Sequence, residues 1–403
     1  MKKILILCLL CLGIVYAEDP VIEVINKGVA LPKIIVKDNS NALNDGNLKR
    51  SFYNILVNDL KVSSNFEVVS EGSESTNYTF EYELTKNGKG LNLNVVIKAG
   101  GAQKSNQNYS VNNVELYPFL SHKSVKDSVG FLGLAPVEWM DHKILIARTA
   151  GSKKSQIIMA DYTLTYQKVI VDGGLNLFPK WANVEQTAFF YTAYDHDMPT
   201  LYRYDLTNNR ATKILSSGGM VVASDVSNDG KKVLITMAPK DQPDVYLYDL
   251  NTKKVSQLTN YGGIDVNGNF IGEDESRIVF VSERLGYPNI FMQGLNSKSA
   301  EQVVFHGKNN SAVSTYKDFL VYSSREPNQS GVFNIYLMSI KSDYIRQLTA
   351  NGKNLFPRFS SDGGSIVFIK HLGAQSALGV IRVNANKTFY FPLKVGKIQS
   401  IDW

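Results

Sequence analysis

Asn289-Ile290-Phe291 and Asn334-Ile335-Tyr336 are one short strand written twice, 45 residues apart (335−290=45), and they decide the reading of the whole chain. Matching apolar triplets sit at Ile157, Leu201, Val245 and Gly379, so the steps along the chain run 44, 44, 45, 45 and 44 residues. A fixed period of about 40–45 residues made of short strands and turns marks a β-propeller, whose four-stranded blades cannot bury both faces alone. Six repeats predict six blades.

Working outward from the triplet, each repeat opens with an inner-strand segment such as Leu177-Phe178-Pro179-Lys180-Trp181 or Leu355-Phe356-Pro357-Arg358-Phe359. Ser227-Asn228-Asp229-Gly230 and Ser360-Ser361-Asp362-Gly363 supply the Asp and Gly that a tight reversal favours. A buried strand follows, as in Ile278-Val279-Phe280 or Ile366-Val367-Phe368, then the triplet, then an outer strand such as Val255 to Thr259 or Ile345 to Thr349. After the sixth outer strand, near Phe389 to Leu393, only residues 394–403 remain, enough for a strand and too few for a blade. Gly396 to Trp403 is therefore expected to serve as the inner strand of blade one, closing the ring and hiding two sheet edges. Pro136-Val137-Glu138-Trp139 has a similar look and is the rival for that place.

The part before the repeats has a different texture. Met1-Lys2-Lys3, the apolar run Ile4 to Gly13 and the small-residue end Val15-Tyr16-Ala17 read as a secretory signal peptide cleaved after Ala17, too short to span a bilayer. Residues 18–135 are expected to form a small α/β domain and 136–403 the propeller. Leu48, Phe52, Ile55, Leu56 and Leu60 share one helical face behind an Asp45 cap. Tyr78 to Leu84 and Leu91 to Ile97 alternate apolar and polar around Asn87-Gly88, the pattern of a β-hairpin. Ser121 to Leu132 reads as a second helix capped by Ser121.

Bulk composition narrows the function. The 403 residues carry a formal charge of +6, and loss of Lys2 and Lys3 leaves +4 (6−2=4), too mild and too evenly spread for a nucleic-acid binder. Cys8 and Cys11 leave with the signal, so the mature chain forms no disulfide and rests on core burial. With 44% hydrophobic and 20% charged residues it reads as an ordinary globular protein, without a transmembrane segment once mature and monomeric by itself.

Enzyme chemistry finds little purchase. Asp141-His142 and Asp195-His196-Asp197 place histidine beside carboxylates, but sequence neighbours usually point apart, whereas a metal site needs convergent ligands. No Gly-x-Ser-x-Gly elbow, Walker loop or dinucleotide fingerprint occurs, so no catalytic, cofactor or metal residue is assigned. The alternative kept open is a secreted propeller enzyme, a lyase or hydrolase with a His/Asp site at the axial channel. One face of the ring collects the loops between blades and those between second and third strands, including Phe178, His196, Met220, Asp265, Arg284, Asn310 and Phe356. Aromatic, Met and Arg groups among polar ones suit a protein-binding surface. Val21, Ile22, Val24 and Ile25 form a short β-prone run with no hairpin partner beside it, a candidate for strand addition to another protein.

An export signal, a small α/β domain and a six-bladed ring completed by its last strand resemble the TolB family, the periplasmic component of the Tol-Pal system of Gram-negative bacteria. His122, Ser124 and Asp127 match the family's pattern in the helix leading into the propeller, and Val24 to Val36 resembles its opening strands. Leu134 to Trp139 departs from the family's Gly-rich segment before blade one. The resemblance implies a non-enzymatic periplasmic scaffold that links TolA and the inner-membrane Tol complex to the lipoprotein Pal, supporting outer-membrane integrity and constriction at division. It implies TolA binding at Val21, Ile22, Val24 and Ile25, and Pal binding at the propeller mouth.

Overall fold

The computed structural model describes residues 22–24, 30–73, 76–194, 198–325 and 330–403. Signal cleavage lies outside the described residues.

The first half is an α/β layer. Its five-stranded sheet runs in the order Glu67–Val68, Lys33–Asp38, Tyr78–Asn87, Gly90–Ala99, Ala102–Val111, with Lys33–Asp38 parallel to both neighbours and the rest antiparallel. Helix α1, Gly46–Ser63, begins where Asp45 accepts the Leu48 N–H at 3.1 Å. Its stripe of Leu48, Phe52, Leu56 and Leu60 packs on Phe80, Tyr82, Leu84, Leu93 and Ile97, the inward residues of the alternating strands.

Two local expectations are corrected, and one strand is added to them. The hairpin turn is Gly88-Lys89 rather than Asn87-Gly88: Asn87 pairs with Gly90, and Gly88 carries the positive φ of 57°. Helix α2 spans Tyr117–Phe131, opening four residues before Ser121 with Pro118 in its first turn and no side-chain cap. Ser121 is spent on a buried hydrogen bond instead. The strand Ala102–Val111 has no counterpart in the sequence reading, because its Gln, Lys, Ser and Asn residues give no apolar alternation.

Six four-stranded blades follow. Blade two is typical: Asn176–Trp181, Ala188–Ala193, Thr200–Asp205 and Arg210–Ser216 pair antiparallel from axis to rim. In blade one the innermost strand is Ile398–Asp402, paired with Ile144–Gly151, so the carboxyl-terminal strand closes the ring. The rival segment forms a 3-10 turn, Glu138–Asp141, whose Trp139 is buried against Trp403 at 5.0 Å between ring centroids. A continuous apolar core runs from α1 and α2 through Trp139 and Tyr162 to Phe389 and Phe391, so the α/β half packs on blades one and six.

Strand alternation fixes the geometry of function. The inter-blade loops and the loops between second and third strands share one face, the mouth, and the remaining turns share the other. The α/β half meets the turn between Lys154–Ala160 and Gln167–Val171 and the end of Gln375–Arg382, both on the turn face. The mouth is left open.

Candidate protein-docking surface

The inner strands decide what the mouth contains. Four of them carry a β-bulge with a non-glycine residue at positive φ: Phe178 (53°), Asn267 (56°), Ala312 (53°) and Phe356 (53°). A bulge inserts one extra residue and re-aims the side chain there, at a cost in backbone strain that surrounding structure must hold. Phe178 and Phe356 thereby line an axial recess of about 470 Å³ together with Met220, Val266, Val281 and Leu355.

Charged side chains floor this recess. Lys180 Nζ stands 3.2 Å from both Asp225 and Asp402, and Arg358 Nε lies 3.7 Å from Asp402. Burial alone would depress Lys180, but Asp402 and Asp225 outweigh it and hold its pKa above the ordinary value; burial wins for Arg358, which is lowered. The same carboxylates stitch neighbouring blades, since Asp402 accepts the Trp181 N–H at 2.8 Å and Asp225 accepts that of Phe270 at 3.0 Å. Sequence reading missed these four residues, although Lys180 to Asp225 and Arg358 to Asp402 repeat the propeller period (225−180=45, 402−358=44).

The seven mouth residues singled out by sequence divide. Phe178, Met220 and Phe356 come together around the recess. Asp265 is fully buried and accepts from the Arg284 guanidinium at 2.7 Å, which in turn lies over the rings of Tyr261, Phe280 and Phe291. Burial raises the Asp265 pKa, with Ser282 and Arg284 opposing. Asn310 is also buried, its amide donating to Asn289 Oδ1 and to the His306 carbonyl at 2.9 and 2.7 Å, and Asn354 repeats this bond to Asn334 at 3.2 Å. Asn310 thus fastens blade five to blade four, while Asp265 and Arg284 are engaged with each other within blade four, Arg284 remaining partly exposed. His196 lies outside the described residues. Further apolar groups crowd the same face: Met198, Ile264, Leu285, Leu372, Val395 and Phe305, the last 78% exposed.

Beneath the ring, a buried charge cluster joins the two halves. His122 on α2 places Nδ1 at 2.9 Å from both Asp59 oxygens on α1, and Nε2 at 3.1 Å from Asp161 in the blade-one turn. Ser121 and Tyr162 also donate to Asp59, and Asp161 accepts the Tyr166 N–H at 2.6 Å. With a carboxylate at each ring nitrogen, the imidazole donates from both and is held as a cation. Burial opposes that charge, yet Asp59 and Asp161 prevail and lift the pKa to about 9. Ser124, read with His122, only returns its hydroxyl to the Ser121 carbonyl at 2.8 Å within the helix.

The amino-terminal segment corrects a further expectation. Ile22–Val24 has a strand partner: it pairs antiparallel with the outer strand of blade six, Ile22 opposite Phe389, Glu23 opposite Thr388 and Val24 opposite Lys387. The outer edge of a blade is an unpaired ladder, which is what a short β-prone run seeks. Val21 and Ile25 lie outside the described residues. Among the described residues no helix is long and apolar enough to cross a membrane, and no group of three or more His, Cys, Asp or Glu is placed to hold a metal.

Comparison with known proteins gives this architecture its family. A family model described as TolB beta propeller domain matches residues 141–403. Over 403 residues, the full length of both chains, the sequence is 81% identical to the Tol-Pal system protein TolB of Campylobacter jejuni strain RM1221. The chain belongs to the TolB family. The Tol-Pal system protein TolB of Wolinella succinogenes is 46% identical over 423 residues, again covering all of both chains. The crystal structure of TolB from Acinetobacter baumannii superimposes with a TM-score of 0.79 at 19% identity, covering 95% of this chain and 99% of that one. That last likeness speaks to fold, and it spans the α/β half as well as the ring.

Proposed function

We propose that the exported chain is a periplasmic scaffold of the Tol-Pal system, with residues 1–17 removed as signal, 18–135 forming the α/β domain and 136–403 the propeller. It grips Pal over the propeller mouth and offers the segment around Val21 to Ile25 to TolA, so linking the inner-membrane Tol complex to the outer membrane during constriction. The observation that carries this reading is the convergence of Phe178, Met220 and Phe356 on one open recess, ringed by exposed apolar loops, on the face that the α/β half leaves uncovered. Large exposed apolar patches with aromatic anchors mark protein-binding sites.

Pairing of Ile22–Val24 with blade six fits the TolA role. A three-residue strand on a blade edge is weakly held and can exchange its partner for a strand of another protein. The test is co-elution in size-exclusion chromatography of the mature chain with acyl-free Pal and with the periplasmic part of TolA. Both complexes are expected; elution of all three proteins at their separate positions would contradict the scaffold reading.

A further inference from the structure

We propose that the blade-five and blade-six side of the mouth is a docking ground for an acidic segment of the partner protein, received by Lys308, Arg325, Lys353 and Lys397. The inference rests on the reading that a protein docks over the mouth, and it names the chemistry of what meets one side of it.

The register carries the argument. At the mouth end of blade five Lys308 stands directly opposite Arg325, and at the mouth end of blade six Lys353 stands opposite His371. Lys308 and Arg325 are like charges facing each other across a strand pair, an arrangement that destabilises a sheet. The corresponding pairs in blades two, three and four are Asn176 with Ala193, Val221 with Met237 and Asp265 with Ser282, so the propeller does not need cations there. Lys397 arrives from the ring-closing loop, and the His371 pKa is lowered by burial and then by Lys397 and Lys353.

Among the described residues no carboxylate of these segments balances this charge. The mouth segments of these two blades, 303–308, 325–332, 349–353, 371–375 and 393–397, hold Lys308, Arg325, Lys353, Lys394 and Lys397 against the single carboxylate Glu326, itself outside the described residues. Among the described residues no carboxylate forms an ion pair with any of those five. Asp172 and Asp241 belong to the mouth loops of blades one to three, and Glu283 to the blade-four loop whose Tyr287 ring lies under Lys308, with no ion pair between Glu283 and that lysine. A partner that is acidic where it meets blades five and six is therefore both attracted and oriented.

The recess favours a protein over a flat anionic membrane. Lys353 lines the axial recess beside Leu355 and Phe356, so a chain laying carboxylates on the arc can place an apolar side chain in the recess at the same time.

The test measures association of acyl-free Pal with the wild-type mature protein and with a Lys353→Glu/Lys397→Glu variant, at low and high ionic strength, with Lys168→Glu on the blade-one rim as matched control. Lys353 is exposed and its side chain forms no ion pair among the described residues, so reversal at position 353, which sets a carboxylate opposite His371, breaks no contact; thermal melting should not fall and the variant stays a fair probe. At low ionic strength association should slow by about tenfold and lose most of its salt dependence, while the control behaves as wild type. An unchanged rate and salt slope, with Phe356→Ala still weakening Pal, would overturn the acidic docking and leave the mouth reading standing. Indifference to both the arc and Phe356 variants would overturn both. A synthetic glutamate-rich peptide separates the remaining case: a protein that captures this peptide through the arc but ignores Pal keeps the acidic-segment proposal and loses the proposed partner. Arc-dependent capture by phosphatidylglycerol vesicles, with Pal and peptide binding untouched by reversal, would assign the arc to lipid and sink the proposal.

Discussion

The carboxylate of Asp402, one residue from the end of the chain, accepts the backbone N–H of Trp181 at 2.8 Å across 221 positions of sequence. Through this bond, and through Lys180 at 3.2 Å, the last strand is tied to blade two as well as paired into blade one.

Ring closure is therefore expected to be the most fragile point of the propeller. Asp402→Ala would leave buried Lys180 and the Trp181 N–H without their shared partner, a loss of about 3–5 kcal/mol for a broken buried ion pair. Removing residues 396–403 should cost more, exposing edges of blades one and six, and a melting curve like the parent's for the truncated chain would contradict the closure.

The His122 cluster should make stability pH-dependent in a stated direction. A histidine raised from 6.5 to about 9 contributes stability that is fully present below about pH 6.5 and is lost as pH rises through about 9. Denaturant midpoints should fall over that window, and His122→Ala should flatten the dependence while lowering stability by about 3–5 kcal/mol, since Asp59 and Asp161 remain buried. A wild-type midpoint that stays level from pH 6.5 to 9 would contradict a cationic His122.

Arg284→Glu should act on folding before it acts on binding. The new carboxylate would meet fully buried Asp265 where a 2.7 Å ion pair stood, and the guanidinium contacts with Tyr261, Phe280 and Phe291 would go. Thermal melting should drop by several degrees; a melting temperature equal to wild type, with only partner association slowed, would return Arg284 to the rim.

Deleting residues 18–25 should weaken TolA binding and leave the melting temperature nearly unchanged, because among the described residues it removes three residue pairs on a blade edge. Isothermal titration with TolA checks the first part and a thermal melt the second; equal TolA affinity with and without the segment rules the assignment out.

Architecture was legible because it repeats. A 44–45-residue period announces blades, and Asp45 or the Tyr78 to Ile97 alternation announces local elements, since each is short-range chemistry written in neighbouring residues. Sites were less legible because they depend on which way a side chain faces. Asp265 and Asn310 share the mouth loops' composition but fall at strand starts where both are buried, bonded to Arg284 and Asn289, while Phe178 and Phe356 reach the recess through bulges that no residue type announces. His122 stands out in the sequence, but its partners Asp59 and Asp161 lie 63 and 39 positions away, on elements that only packing brings together. Ala102–Val111 escaped because an edge strand with a solvated face has no apolar rhythm to read.

Docking of Pal over the mouth is tested most directly by calorimetric titration of acyl-free Pal into Met220→Ala, Phe356→Ala and, on the opposite face, Asp229→Asn. Each mouth variant should lose about 1–3 kcal/mol of binding free energy if its side chain anchors the partner, and the turn variant, whose amide oxygen can still accept from Ser227 and the Lys231 N–H, should bind as wild type. Normal affinity in both mouth variants together with a loss in Asp229→Asn would place the partner on the wrong side of the ring for this account.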